Sequence, residues 1–530
     1  MARTEFDVVV LGSGAAGLAA ALAASSSGAR VLVAEKSEWL GGTTAMSGGC
    51  AWIPCNRHMR AIGETDSFDD ALQYLRAVAP PGWQAVEEPL WRAFLEAGPR
   101  MLDLVEQKTP VRFHVGLEPD PYLEAPGAKR RGRNVSPDPL RMARLGEWAA
   151  RLRPSLMPYY AAYDELTDTH FFAQPTKGML RFGPRILWRW LRDARAMGQA
   201  LAGGMVIGCV ESGCEVRTSS RARSLVMEGG RVAGVELEGA GGIETVRAGL
   251  GVVIATGGFE WDTELMARFH PGPCDWNASP DSNSGDGLRM AEAAGAKLDR
   301  MDQALIMGTV PMTYLGKPFA RPAADYTLPH SMIVNARGRR FVNEVQVNVG
   351  LGLENPANLP AWRIYDAQFV RRYPHALPKG AFAHHVKRAG TLRELAAIIG
   401  IDADGLEDEA QKMTRFAREG HDADFGRGSF GWDPWRNGDP RVGPNSCLGA
   451  ISEAPFVALP MKKSFLGTKG GPRTDARGRV QHRDGGEIQG LWCAGNAMAN
   501  PIGSKAVGAG TTLGPCLAWG FLCGEDAAHG

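Results

Sequence analysis

The sequence predicts an α/β fold: a Rossmann-like parallel sheet at the start of the chain, in a protein of two or more domains. Three observations predict it. A strand, a glycine turn, a helix and a second strand ending in an acidic residue fill the first 35 positions, and a glycine-rich loop opens an apolar helix near the carboxyl end. The length, 530 residues, exceeds what one hydrophobic core holds. Hydrophobic residues make up 44% and charged residues 22%, the balance of a folded chain rather than a disordered one.

The opening FDVVVLGSGAAGLAAALAASSSGARVLVAEKS carries a β-branched run at Val8–Val10, then Gly12, Gly14 and Gly17, an Ala/Leu-rich stretch, and a second strand Val31–Ala34 ending at Glu35. In a βαβ unit Gly12 permits the tight turn. Gly14, followed by Ala15 and Ala16, lets backbone approach a pyrophosphate, and Gly17 lets the helix lie close to the strand. Glu35, with Lys36 beside it, stands where a carboxylate accepts hydrogen bonds from a ribose hydroxyl. Next comes WLGGTTAMSGGCAWIP, which gathers Gly42, Thr43, Thr44, Ser47, Gly48 and Gly49. Nicotinamide-binding units rarely place a second glycine and hydroxyl cluster here. A flavin needs small residues where the chain passes its ribityl-phosphate arm and ring, so FAD is expected rather than NAD.

In the middle of the chain a β-hairpin is expected around Gly239–Gly242, then a buried strand Val252–Ala255 whose end, Ala255, Thr256 and Gly257, allows close approach to a cofactor. Asp286 marks a helix start. Near the end, PIGSKAVGAGTTLG precedes the apolar PCLAWGFLCG; a helix start offers unpaired N–H groups and partial positive charge, so a bare loop there suits an electron-rich ligand.

Lys and Arg number 59 against 58 Asp and Glu, a net charge of +1 that offers no general attraction for nucleic acid or anionic lipid. The run KRRGR at Lys129–Arg133 reads as a solvated loop. Nine scattered cysteines suggest neither a disulfide framework nor a metal site. No leader-like segment and no membrane-length apolar run is visible, so a cytoplasmic protein without a membrane span is expected.

The segment EKSEWLGGTTAMSGG resembles the FAD-binding domain shared by the soluble fumarate reductase and 3-ketosteroid dehydrogenase flavoproteins, and GTKGGPRTD is similar to the 3-ketosteroid Δ1-dehydrogenase branch. The resemblance implies a FAD-binding domain of glutathione-reductase type in two pieces, residues 1–280 and 450–530, around an α+β substrate-capping domain, residues 281–449. It implies non-covalent FAD, because Gly42 stands where a histidine carries covalent FAD. By the same resemblance Glu215–Ala222 contacts the adenine, Gly495 and Asn496 hold the diphosphate region, and Gly510, Thr512 and Leu513 open the helix that meets the flavin ring. HSMIVNARGRRFVNE resembles a strand-turn-strand element of the cap.

The resemblance also implies an activity: removal of an α-proton and a hydride from a small-molecule ring ketone, a 3-ketosteroid or other cyclic ketone, with electrons passed to an unidentified external acceptor. Tyr122 and Tyr326 are the candidate catalytic tyrosines, and the Gly510 N–H the group that polarises the ketone. Two positions depart from the family pattern: Asn348 stands where an arginine or tyrosine handles a proton, and Ala506 where a tyrosine hydroxyl polarises the ketone; Lys505 is the nearest substitute. A flavin-dependent reductase of an activated double bond, and a non-catalytic or redox-sensing flavoprotein, are the alternatives.

Overall fold

The computed structural model describes residues 4–156, 159–274, 276–323 and 325–530. Residues 1–3, part of the segment read for a leader, lie outside them.

A β-branched run repels helix and favours a buried parallel strand. Accordingly Glu5–Leu11 sits at the centre of a parallel sheet, paired with Val31–Ala34 on one side and Gly242–Ile254 on the other. Glu215–Arg217 and Glu487–Cys493 extend the two flanks, again in parallel. The hairpin around Gly239–Gly242 forms with those two glycines opposite each other.

The helix Ala15–Ser26 covers this sheet and is itself covered by the last helix, Leu513–Ala527. Their close approach has a plain cause: a Cβ at Gly520 or Gly524 would collide with the carbonyls of Ala16 or Ala20. The amino- and carboxyl-terminal ends of the chain therefore build one core.

A second, antiparallel sheet runs in the order Lys317–Pro322, Ala304–Tyr314, Phe456–Thr468, Ala361–Tyr365, Ser331–Val334. Two amphipathic helices, Leu392–Ile399 and Ala403–Glu419, bury Leu395, Met413 and Phe416 against it. Its long central strand, Phe456–Thr468, lies beyond the boundary expected at residue 449, so this sheet draws on the segment assigned above to the FAD-binding domain.

Two further expectations are corrected. The element 330–344 is a strand, Ser331–Val334, and a turn closed by Asn335; no second strand forms. Its tail instead turns inward as a buried ion cluster, in which Arg340 pairs with Glu344 and Asp422 at 2.8 Å each and Arg427 approaches Glu344. Burial acts to raise the Glu344 carboxyl, but Arg340 and Arg427 hold it below its ordinary value, and Arg340 does the same for Asp422. Their stabilisation is therefore complete at neutral pH and is lost as pH falls below the ordinary carboxylate range. We expect Glu344→Gln to lower unfolding stability by about 2 kcal/mol at pH 7 and by much less near pH 3, as checked by urea denaturation at both values.

The KRRGR run is likewise no free loop. Arg133 is buried and bridges Asp66 and Asp120 at 2.8 Å, while Lys129 reaches Asp70. Only Arg130 and Arg131 of the run's cations face solvent.

Candidate active site

A cleft opens at the carboxyl ends of the parallel strands, with about 1190 Å³ of unfilled space including its mouth. That is where an open α/β sheet receives a ligand. Its wall contains Gly12, Gly14, Ala15, Ala16, Glu35, Lys36, Gly42, Thr43, Thr44, Ser47, Ala255, Thr256, Gly257, Gly495, Asn496, Thr512 and Leu513, bringing together segments almost 500 residues apart.

The glycine turn follows the geometry its spacing implies. Gly12 has φ +103° and a Cβ there would fall on the Ala255 carbonyl. A Cβ at Gly14 would meet nothing closer than Thr44 Oγ1 at 3.8 Å, so bare backbone faces open cleft. Thr44 Oγ1 accepts from Ala15 N at 2.9 Å and so fixes the helix start. The N–H groups of Gly14 and Ala16 have no acceptor among the described residues.

Glu35 does double duty. Its carboxylate accepts from Ser13 N at 3.0 Å, Ser13 Oγ at 2.7 Å and Ser37 N at 2.9 Å, which locks the turn and leaves lone-pair capacity facing the cleft. Ser13 went unnoticed in the sequence because it is an intervening position of the fingerprint. Lys36 lines the cleft with its charge already committed: Nζ donates to Ser284 Oγ at 2.6 Å and pairs with Asp286 at 3.0 Å. Although burial acts to raise it, Arg221 and Lys36 hold the Asp286 carboxyl below its ordinary value.

Four of the expected cofactor residues are not among those that line this cleft. Gly17 packs its helix on the Gly12 carbonyl, Gly48 lies against the Tyr163 ring, and Gly49 lies against the Met197 backbone. Gly510 is wedged against Cys50 and Ala51. The first three are small for packing rather than for ligand contact. Asn283 is a wall residue that sequence reasoning missed; its amide donates to Thr43 Oγ1 at 3.1 Å and Glu260 Oε1 at 2.7 Å, tying the capping segment to the glycine cluster. Its place just before the Asp286 helix start was the available signal.

The cleft tests well for a flavin nucleotide. Two buried hydroxyls on its wall, Thr256 Oγ1 and Thr512 Oγ1, have no partner among the described residues, and the N–H groups of Gly510, Thr512 and Leu513 have no acceptor either. A helix start with unspent donors matches the electron-rich edge of a flavin. We expect Thr512→Val to weaken FAD binding about tenfold, as titration of apoprotein by flavin fluorescence quenching would show.

The sequence matches the FAD binding domain family across residues 7–513. This chain belongs to that family. It is 35% identical to the 3-oxosteroid 1-dehydrogenase of Mycobacterium tuberculosis, covering 98% of each chain. It is also 35% identical to the 4-oxocyclohexanecarboxylate 2-dehydrogenase of Sinomonas cyclohexanicum, covering 99% of this chain and 93% of that one. A crystal structure of 3-ketosteroid Δ1-dehydrogenase from Sterolibacterium denitrificans, bound to 1,4-androstadiene-3,17-dione, superposes with a TM-score of 0.91 at 32% identity, covering 99% of this chain and 100% of that one. The protein is accordingly an FAD-dependent oxidoreductase of the CH–CH class.

Of the candidate catalytic residues, Tyr122 meets Asn348, and neither Tyr326 nor Gly510 joins that contact. Asn348 Nδ2 donates to the Tyr122 hydroxyl, and Asn348 Oδ1 accepts from Ala506 N at 2.9 Å. The two positions that depart from the family pattern thus touch each other and one of the expected tyrosines. Lys505 Nζ lies 5.8 Å from the Tyr122 ring centre and donates to Val78 O at 3.0 Å. Tyr326 is deeper, buried in an apolar cluster with Val349, the residue after Asn348. Burial raises Tyr122, with the Asn348 hydrogen bond pulling it back; burial and then Asp325 push Tyr326 well up.

Proposed function

We propose that the protein desaturates a cyclic ketone, removing one hydrogen from the α carbon and one from the adjacent β carbon so that the new double bond is conjugated with the carbonyl. Both relatives' names describe an oxo ring dehydrogenated two positions from the oxo carbon, which supports that substrate class. The observation that carries the reading is local. An unclaimed backbone donor, Gly510 N–H, follows four residues after the point where Ala506, Asn348 and Tyr122 interlock.

Bound FAD supplies a two-electron acceptor for hydride. Gly12, Gly14, Thr44, Thr256, Asn496 and Thr512 would hold it. The chain's own residues handle the proton and the carbonyl. Gly510 N–H donates to the ketone oxygen as negative charge develops there, which lowers the cost of taking the α-proton. Tyr122 takes that proton: its oxygen accepts from a neutral amide that stabilises phenolate, and a lysine cation stands over its ring face. Tyr326, beside the Asp325 carboxylate, is the harder of the two to ionise and keeps its proton, a difference that separates acceptor from donor. Ala506 leaves room where a tyrosine would stand, and Asn348 fills the polar role at the gap.

Reduction of an unsaturated dicarboxylate is not favoured. That chemistry calls for charged or imidazole groups facing the ligand, whereas Thr468 here bonds Glu260 and Lys469 is fully buried, donating to Gly503 O at 2.8 Å, with desolvation lowering it to about 8.

Anaerobic mixing of the FAD-loaded enzyme with a 3-ketosteroid and with 4-oxocyclohexanecarboxylate tests the proposal. Loss of the flavin absorption with either ketone is the expected result. Silence with both, together with reoxidation of reduced enzyme by an enone, would reverse the assigned direction.

A further inference from the structure

The short helix Trp432–Arg436 ends in a cation that the fold leaves incompletely matched. Three buried arginines are each held by paired hydrogen bonds to carboxylates: Arg133 by Asp66 and Asp120, Arg340 by Glu344 and Asp422, and Arg363 by Asp325. Such forked contacts offset the hydration that a buried guanidinium loses. Arg436 makes none of them. Its ion pair is with Glu118, whose Oε1 stands 3.6 Å from Nε, beyond hydrogen-bond reach. Both Glu118 oxygens are already engaged: Oε2 accepts from the Tyr163 hydroxyl at 3.0 Å and Oε1 from Trp432 Nε1 at 3.2 Å. Burial raises the Glu118 carboxyl toward its neutral acid, and Arg436 pulls it back only in part.

The same cation stands beside the groups assigned to the ketone. Its guanidinium lies 5.8 Å from the Tyr163 ring centre, and that ring packs against Gly48. Two residues on, the Cys50 carbonyl lies against Gly510. Burial and then Glu118 push the Cys50 thiol up to about 12, while the Arg436 charge opposes them, so one residue separates the N–H assigned to the ketone from the cation. Asn437, next to Arg436, donates to Val345 O at 2.7 Å, three residues before Asn348. The helix is thereby tied to both segments that meet at the Tyr122–Asn348 contact. Although Glu118, Trp432 and Cys50 are buried, Arg436 keeps 19% of its side chain accessible, so unfilled room remains beside it.

We propose that Arg436 binds a carboxylate of the substrate, so that the ring ketone this protein takes is a small oxo acid rather than a steroid. The proposal rests on the desaturation reading above and names its substrate class. The planar fork of a guanidinium matches a carboxylate with two parallel hydrogen bonds. A steroid such as 1,4-androstadiene-3,17-dione presents hydrocarbon and ketone groups only. Packed here it would bury the cation without a counter-charge, which disfavours it against an anion. One cation serves one carboxylate, so a dicarboxylate would leave its second charge unmatched.

Anaerobic flavin reduction of the FAD-loaded enzyme by 4-oxocyclohexanecarboxylate, by its uncharged and nearly isosteric carboxamide, and by a 3-ketosteroid tests the proposal. Expected is a kcat/KM for the acid about a hundredfold above that for the amide, and above that for the steroid. In Arg436→Gln the acid-to-amide ratio should fall to about one, and Arg436→Lys should restore part of it. Cyclohexanecarboxylate, which has no ketone to react, should bind the oxidised enzyme in calorimetry and bind Arg436→Gln about a hundredfold more weakly. An acid no better than its amide, a steroid that outruns the acid, an unchanged ratio in Arg436→Gln, or no binding of cyclohexanecarboxylate to the parent would each overturn the proposal. Binding of cyclohexanecarboxylate that depends on Arg436, without flavin reduction by any ketone, would uphold the carboxylate site and overturn the desaturation reading instead.

Discussion

Gly510→Ala should fold and yet turn over about a thousandfold more slowly than the parent enzyme. Gly510 has φ +87°, a conformation that L side chains rarely adopt, and an added Cβ would come to 2.5 Å from Ala51 Cα and collide with the Cys50 carbonyl. Both obstacles are backbone, so neither can rotate away. The strain must be relieved by moving the loop, and with it the donors of Gly510, Thr512 and Leu513. A displacement of about 1 Å that misaims an oxyanion donor costs on the order of 10² to 10³ in rate. Single-turnover flavin reduction by ketone measures the loss, and the flavin spectrum reports whether the cofactor is still bound. A rate within tenfold of the parent would remove Gly510 from the chemistry.

Tyr122→Phe is expected to lower kcat by about 10² to 10³ with little change in KM, because it removes the proton acceptor while leaving the ring's packing intact. Tyr326→Phe should cost less than about tenfold. The parent rate should rise with pH through the alkaline range, since burial lifts Tyr122 above the ordinary tyrosine value and only the ionised form accepts a proton. Asn348→Asp carries the sign further: a carboxylate beside the phenol opposes its ionisation, so the alkaline limb of the pH profile should move to higher pH. If Tyr326→Phe proves the more damaging change and the alkaline limb of the Asn348→Asp variant stays in place, the two tyrosines have exchanged roles.

The elements that were legible in the sequence are those specified over short range. The strand Val31–Ala34, the Gly239–Gly242 hairpin and the helix beginning at Asp286 all formed where periodicity and turn residues placed them, because each depends on neighbours a few residues away. What escaped was set by distant partners. The KRRGR run gave no hint of an ion cluster because Asp66, which Arg133 meets, lies 67 residues away. The continuous run FVALPMKKSFLGT gave no sign of its sheet, since a strand's pairing partners are not written in its own alternation.

For the site the division is sharper. By itself the sequence determined the bare backbone of the cleft: the turn at Gly12, the open approach at Gly14 and the loop before Leu513 each follow from which backbone conformations and which free N–H groups a stretch without side chains allows. Only the tertiary structure decided which polar groups meet beside that cleft. Asn348 lies 226 residues from Tyr122 and 158 from Ala506, and their meeting results from packing the cap onto the terminal loop. A glycine's freedom is a property of the residue itself, whereas a side chain's chemistry depends on what the fold brings beside it.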